Sequence, residues 1–160
     1  LILTLPDLRT STDVFPIKFL NMRERYVVLK GEDVLADLEI TKDHIRLRCE
    51  QEIKNLMLRL RQFYVRHSGF PESIESVLCQ SISPFLRNAR VLIELEAGSV
   101  GEAEEEIVVA TVDLGLERGI LEEILALKRG ERRPDSNDLK TLYDKYMRLV
   151  QQAAEIVDAL

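Results

Sequence analysis

The sequence predicts a mostly α protein: a five-helix bundle over residues 41–160, preceded by a short strand-containing segment over residues 1–40. Three observations carry this expectation. From Thr41 onward, apolar residues recur at helical spacing in five successive stretches. Those stretches are separated by short turns rich in Gly, Pro and polar residues. The first forty residues lack that period and instead hold short apolar runs broken by Pro and Gly.

In the N-terminal segment, Leu1 to Leu5 is an apolar run stopped by Pro6, and Asp13 to Leu20 is predicted as a strand whose Pro16 restricts it to an edge or a bulge. Asn21 is expected to cap a short helix from Met22 to Leu29, ended by Lys30 and Gly31. One or two strands do not make an independent sheet in water. The segment is therefore expected to dock on the helices, to pair with a second copy, or to be the end of an α/β domain.

The stretch from Thr41 to Ser68 is predicted as the organising helix. At about 100° per residue, Ile45, Cys49, Ile53, Leu56, Leu60 and Phe63 share one broad apolar face with Tyr64 and His67. Leu47, Leu58 and Val65 form a thinner stripe on the opposite side, and a polar line that includes Arg48, Arg59 and Arg66 runs between the two. Such a helix touches two bodies. Thr41 is placed to cap it, and Ser68-Gly69 to stop it.

Pro71 opens a second helix that is expected to reach Glu96, kinked but not ended by Pro84. A turn from Ala97 to Gly101 leads to a third helix, Glu102 to Leu114, whose first-turn carboxylates suit the helix dipole and which Gly115 closes. A fourth covers Glu117 to Lys128 and stops at Arg129-Gly130. A fifth, capped by Asp135 or Ser136, carries Leu139, Leu142, Tyr143, Tyr146, Val150, Ala153 and Val157 on one face.

The chain has 160 residues, enough for one well-buried core or one domain plus a fragment of another; 46% are hydrophobic and 31% charged, as in a soluble globular protein. No apolar run approaches the roughly 18 residues of a membrane span, so a cytoplasmic protein without a membrane partner is expected. Cys49 and Cys79 are expected as reduced, buried thiols. The first residue is not Met, and a processed or excised piece is expected. Charge is unevenly spread: residues 42–66 hold seven basic against three acidic side chains, and residues 94–125 ten acidic against one basic. That pattern fits solvated, mutually attracting faces, or a basic surface for a phosphate-bearing ligand.

Local catalytic signatures are weak. His44 and His67 lack the spacing of a metal site. Gly98-Ser99-Val100-Gly101 is read as a loop between helices. Arg61 and His67 have a spacing similar to the Arg-x4–6-His signature of the HEPN ribonucleases, also small helical bundles. With 15 Arg in the chain that spacing is expected by chance, and a six-residue offset sets the two about 120° apart on a helix.

The run from Ser11 to Leu20, Ser-Thr-Asp-Val-Phe-Pro-Ile-Lys-Phe-Leu, followed by Arg23 to Leu35, resembles the later part of bacterial nucleotidyltransferase-domain proteins of the DNA polymerase β-like superfamily. The resemblance continues through Arg46 to Glu52 and Leu58 to Gln62 into the helices. It implies that residues 1–40 are a remnant of an α/β nucleotidyltransferase-like domain. In that superfamily a Gly-Ser turn with Asp-x-Asp and a third, later carboxylate hold two divalent ions. The resemblance implies that Asp13 is the third carboxylate, the alternative being a strand-start or turn residue. The Gly-Ser turn and Asp-x-Asp pair are missing here.

The resulting expectation is a helical substrate-recognition or oligomerisation portion of a nucleotidyltransferase-like protein, inactive alone. Arg48, Arg59 and Arg66 are its candidate substrate-binding residues. Its partner is an N-terminal α/β domain or a second copy. No cofactor is expected in this chain; Mg2+ and a nucleoside triphosphate belong to the parent protein if that is an active metal-dependent nucleotidyltransferase. No DNA partner is expected. The alternatives are a free-standing helical interaction or dimerisation module, and a HEPN-like RNA-cleaving bundle using Arg61 and His67.

Overall fold

The structure, a computed structural model, describes residues 2–67, 69–96 and 98–160. Leu1, Ser68 and Ala97 lie outside the described residues, and with them the first residue of the N-terminal apolar run, one stop residue after His67 and the first residue of the turn after Glu96. Seven α-helices are present among the described residues: α1 (Leu5–Thr10), α2 (Pro16–Glu24), α3 (Lys42–His67), α4 (Pro71–Glu96), α5 (Glu104–Ala110), α6 (Arg118–Lys128) and α7 (Ser136–Ala159). The last five fall on the five predicted stretches; the count of five is exceeded because the N-terminal segment is helical too. The chain forms two compact units, Leu1–Cys49 and Glu50–Leu160.

The N-terminal unit corrects the sequence expectation. No strand occurs among the described residues, and the predicted strand from Asp13 to Leu20 is instead a turn followed by α2. Pro16 is the first residue of that helix, where its missing N–H costs nothing and its fixed φ is already helical. The Val14 and Phe15 amides both donate to the Ser11 carbonyl, which turns the chain into the helix. The predicted helix from Met22 to Leu29 is also absent, because α2 ends at Glu24 and Arg25 leaves with φ −145° and ψ 88°. Tyr26-Val27-Val28 follows, and aromatic and β-branched side chains favour that departure from the helix.

Helix α1 is the element that the sequence reading missed, although Thr4-Leu5-Pro6-Asp7 announces it. The Thr4 hydroxyl accepts from the Asp7 amide at 3.3 Å, while the Thr4 amide donates to the Asp7 carboxylate at 3.1 Å, a reciprocal capping box. Leu8 from this helix joins Phe19 and Leu38 in a small core, with Met22, Val34, Leu35 and Ile40 packed against it.

In the C-terminal unit the centre is α4 rather than α3. Helix α4 packs on α5, α6 and α7 and buries ten side chains, among them Ile74, Leu78, Ile82, Phe85 and Leu92. Helix α3 is more polar, and its backbone lies farther from these helices; it joins them through bulky side chains. Tyr143 of α7 donates its hydroxyl to the Leu60 carbonyl at 2.6 Å and stacks on Tyr64 with ring centres 5.4 Å apart. On α3 itself, Ile53, Leu56 and Leu60 are buried as the period predicts, whereas Leu58 and Val65 are exposed.

The predicted caps and stops hold at several ends. The Thr41 hydroxyl accepts from the His44 amide at 3.2 Å, and Asp135 accepts from the Asn137 and Asp138 amides at 2.8 and 2.9 Å. Pro84 lies inside a continuous α4. The third predicted helix divides: α5 gives way at Thr111 to a single 3-10 turn, Thr111–Leu114, and Gly115 closes it with φ 74°. The Thr111 hydroxyl donates back to the Val108 carbonyl at 2.7 Å within this tightened turn. Cys49 is buried, Cys79 half-buried, and both are free thiols. No helix among the described residues is long and apolar enough to cross a membrane.

Candidate ligand-binding site

Pro84 of α4 borders a concavity of the C-terminal unit. A proline inside a helix has no N–H to give the carbonyl four residues back, here Gln80, and its ring pushes that carbonyl aside. On the α7 side the Tyr146 hydroxyl donates to the Ser81 carbonyl at 3.3 Å and the Tyr146 ring meets Phe85 edge-on. On the α3 side lies a slot of about 220 Å³, lined by Leu56, Arg59 and Leu60 of α3 and by Val77, Gln80, Ser81 and Pro84 of α4.

A second concavity of about 370 Å³ adjoins the slot, sharing Val77 and Gln80 with it and bordered also by Phe63, His67 and Glu72. Arg59 also borders a third, of about 380 Å³, with Glu52, Asn55, Leu58 and Gln62. One guanidinium therefore stands on the ridge between two hollows.

Other polar groups of the slot are committed elsewhere. The Gln80 amide donates to the Ser76 hydroxyl at 2.9 Å, and the Ser81 hydroxyl donates to the Leu78 carbonyl at 3.2 Å. Arg59 is exposed and makes no hydrogen bond or ion pair with the described residues. An unpaired guanidinium beside an apolar hollow is a fork-shaped donor for a carboxylate or phosphate.

The other predicted site residues are placed as follows. Arg66 is exposed one full heptad beyond Arg59, and Arg48 is half-buried and engaged in an interaction of its own. Asp13 is exposed in the turn between α1 and α2. Among the described residues no three His, Cys, Asp or Glu side chains are grouped so as to hold a metal ion, so the donors around Asp13 do not by themselves fit a divalent site.

Arg61 and His67 have different partners. The Arg61 guanidinium donates to the Gln151 side chain of α7 at 3.2 Å. The His67 ring stacks on Phe63, with centres 4.5 Å apart, and borders the hollow against α4. Its Nδ1 lies 3.2 Å from the Phe63 carbonyl, a contact that needs the proton on Nδ1 because a carbonyl only accepts.

A polar cluster that the sequence reading did not single out links α4, α5 and α6. Lys128 donates to the Ser83 hydroxyl at 2.6 Å and to the Glu104 carboxylate at 3.0 and 3.1 Å, and Ser83 donates to Glu104 at 2.5 Å. Burial alone would raise the Glu104 pKa, but the Ser83 hydrogen bond and the bond and charge of Lys128 outweigh it and hold the carboxyl below its ordinary range. Arg129 pairs with Glu105 alongside. Glu104, Ser83 and Lys128 are far apart in sequence, so only the acidic first turn of α5 signalled the cluster. With the lysine held by a carboxylate, the arrangement serves as a clasp rather than as a base for the serine.

No known family, no curated protein and no solved structure matches this chain.

Proposed function

We propose that this chain is the helical substrate-recognition or oligomerisation portion of a nucleotidyltransferase-like protein, and that it does not catalyse by itself. One observation carries the proposal: the N-terminal unit exposes more apolar side chains than it buries. Its core holds Leu8, Phe19 and Leu38, while Leu5, Val14, Phe15 and the run Tyr26 to Leu29 are exposed, Val27 at 81% and Leu29 at 94%. An apolar surface of this extent on so small a core is the kind that another body covers.

The sequence resemblance supplies the identity proposed for that body, an α/β catalytic part that carries the Mg2+ and nucleoside triphosphate sites. Arg48, Arg59 and Arg66 are the residues of this chain proposed to meet the phosphate-bearing substrate. The alternative cover is a second copy, which makes the chain an interaction module in its own right.

Sedimentation velocity combined with Mg-ATP titration tests the proposal. The chain alone is expected to self-associate with rising concentration, to lose that association when Val27 and Leu29 are replaced by Glu, and to show no heat of Mg-ATP binding. Tight Mg-ATP binding by this chain would contradict it, as would a strictly monomeric protein whose behaviour the double substitution leaves unchanged.

A further inference from the structure

We infer that the slot beside Pro84 is a binding site for an alkyl carboxylate, with the apolar tail between α3 and α4 and the carboxylate on Arg59. The inference concerns the C-terminal unit alone and goes beyond the proposed function, which would stand without it.

Four observations converge on this ligand. The walls are apolar where a chain would lie: Leu56 and Leu60 on one side, Val77 and Pro84 on the other. Gln80 and Ser81 each give a side-chain donor to α4 itself, to Ser76 and to the Leu78 carbonyl, and neither carries a charge, so Arg59 is the ionic group of the slot. Arg59 lines the same slot, is exposed, and makes no bond with the described residues, so the one cationic group at the site is available to an anion. Val77 to Pro84 spans about 10 Å of helix axis, the length of an extended chain of about eight carbons. A longer tail has the adjoining hollow toward Phe63 and His67 to run into.

Neither half of the ligand suffices alone. An exposed guanidinium binds a small carboxylate weakly because water competes for both partners. An open apolar slot of about 220 Å³ likewise holds a neutral chain only loosely. Joined in one molecule, the two contacts share a single loss of translational freedom.

Titration of the 15N-labelled chain with octanoate, followed by amide shifts, tests this. Saturable shifts are expected at Leu56, Leu60, Val77 and Ser81 and at the Arg59 side chain. Affinity is expected to rise from butyrate to octanoate by up to about fourfold per methylene. Octanol and acetate are expected to bind far more weakly. Arg59→Ala is expected to cost about tenfold and Arg59→Lys to recover part of that loss. Val77→Phe, which fills the slot and leaves Arg59 in place, is expected to abolish binding while far-ultraviolet circular dichroism confirms the fold. Absence of saturable shifts at the slot overturns the inference, as does octanoate affinity that is independent of Arg59 or of chain length. Inorganic triphosphate that binds Arg59 and Arg66 when octanoate does not would overturn the inference and leave the proposed function standing.

Discussion

Tyr143→Phe isolates the bond that ties α3 to α7. The hydroxyl is buried, donates to the Leu60 carbonyl at 2.6 Å, and sits on a ring that stacks on Tyr64. Phenylalanine keeps the ring and its packing and removes only the donor. A buried hydrogen bond of this kind contributes about 1 kcal/mol net, so the variant is expected to lose that much stability at neutral pH, a fall of about 3–5 °C in midpoint. The hydroxyl also has a pH signature. Burial first, then the neighbouring Tyr64 and Asp144, pushes its pKa up to about 12. A folded-state value above the unfolded value near 10 means that the folded chain keeps the proton longer. Its contribution is therefore full below about pH 10 and is lost as pH rises to about 12, with a slope of about 1.4 kcal/mol per pH unit. Burial raises the Tyr146 hydroxyl in the same direction, so the variant should show a shallower alkaline loss, not a flat one. Urea unfolding of both proteins at pH 7 and across pH 9–11.5 measures this. Equal stability at pH 7, or an unchanged alkaline slope, would refute the role given to the bond.

Asp135→Ala removes the acceptor for two amides at the start of α7 and is expected to cost about 1 kcal/mol, read as a shift in the denaturant midpoint. Gly115→Ala forces a side chain to φ 74° at the end of the 3-10 turn, with an expected cost of about 1–2 kcal/mol in thermal unfolding. Glu104→Gln breaks the half-exposed pair with Lys128 and is expected to cost about 0.5–1 kcal/mol at pH 7. Because the folded Glu104 pKa is depressed, that contribution is present above the unfolded value near 4.5 and is lost as pH falls through the folded one. The variant should therefore lose less than the natural chain on acidification, in unfolding measured from pH 6 to 3.

The helices of the C-terminal unit were legible because each carries its own signals. Ile53, Leu56 and Leu60 keep the helical period, Asp135 is a readable cap, and Gly115 and Gly130 take the left-handed conformation at which helices stop. The N-terminal unit was not legible from the same signals. In Asp13 to Leu20, Phe15, Ile17 and Phe19 alternate well enough for a strand, and Pro16 serves equally as a strand-edge residue or as the first residue of a helix. The helix prevails where the Ser11 turn leads into it and Phe19 reaches the core with Leu8 and Leu38. Even so, Thr4 and Asp7 show that a capping box was there to be read.

The candidate site divides along the same line. The basic side chains of α3 and the proline within α4 are written in the sequence. Which arginine stays unpaired depends on what the other helices present: Arg61 meets Gln151 of α7, and Arg59, two residues earlier, makes no hydrogen bond or ion pair with the described residues. Likewise, the slot is lined from both α3 and α4, by Leu56, Arg59 and Leu60 on one side and Val77, Gln80, Ser81 and Pro84 on the other, a pairing that no local motif announces.

Native-state hydrogen exchange on the full chain bears most directly on the claim that the N-terminal unit requires a covering body. The small core of Leu8, Phe19 and Leu38 predicts that the α2 amides from Phe19 to Met22 open at a free energy several kcal/mol below those of α4 and α7. Protection of the α2 amides equal to that of α4 and α7 would show a self-sufficient unit and contradict the account.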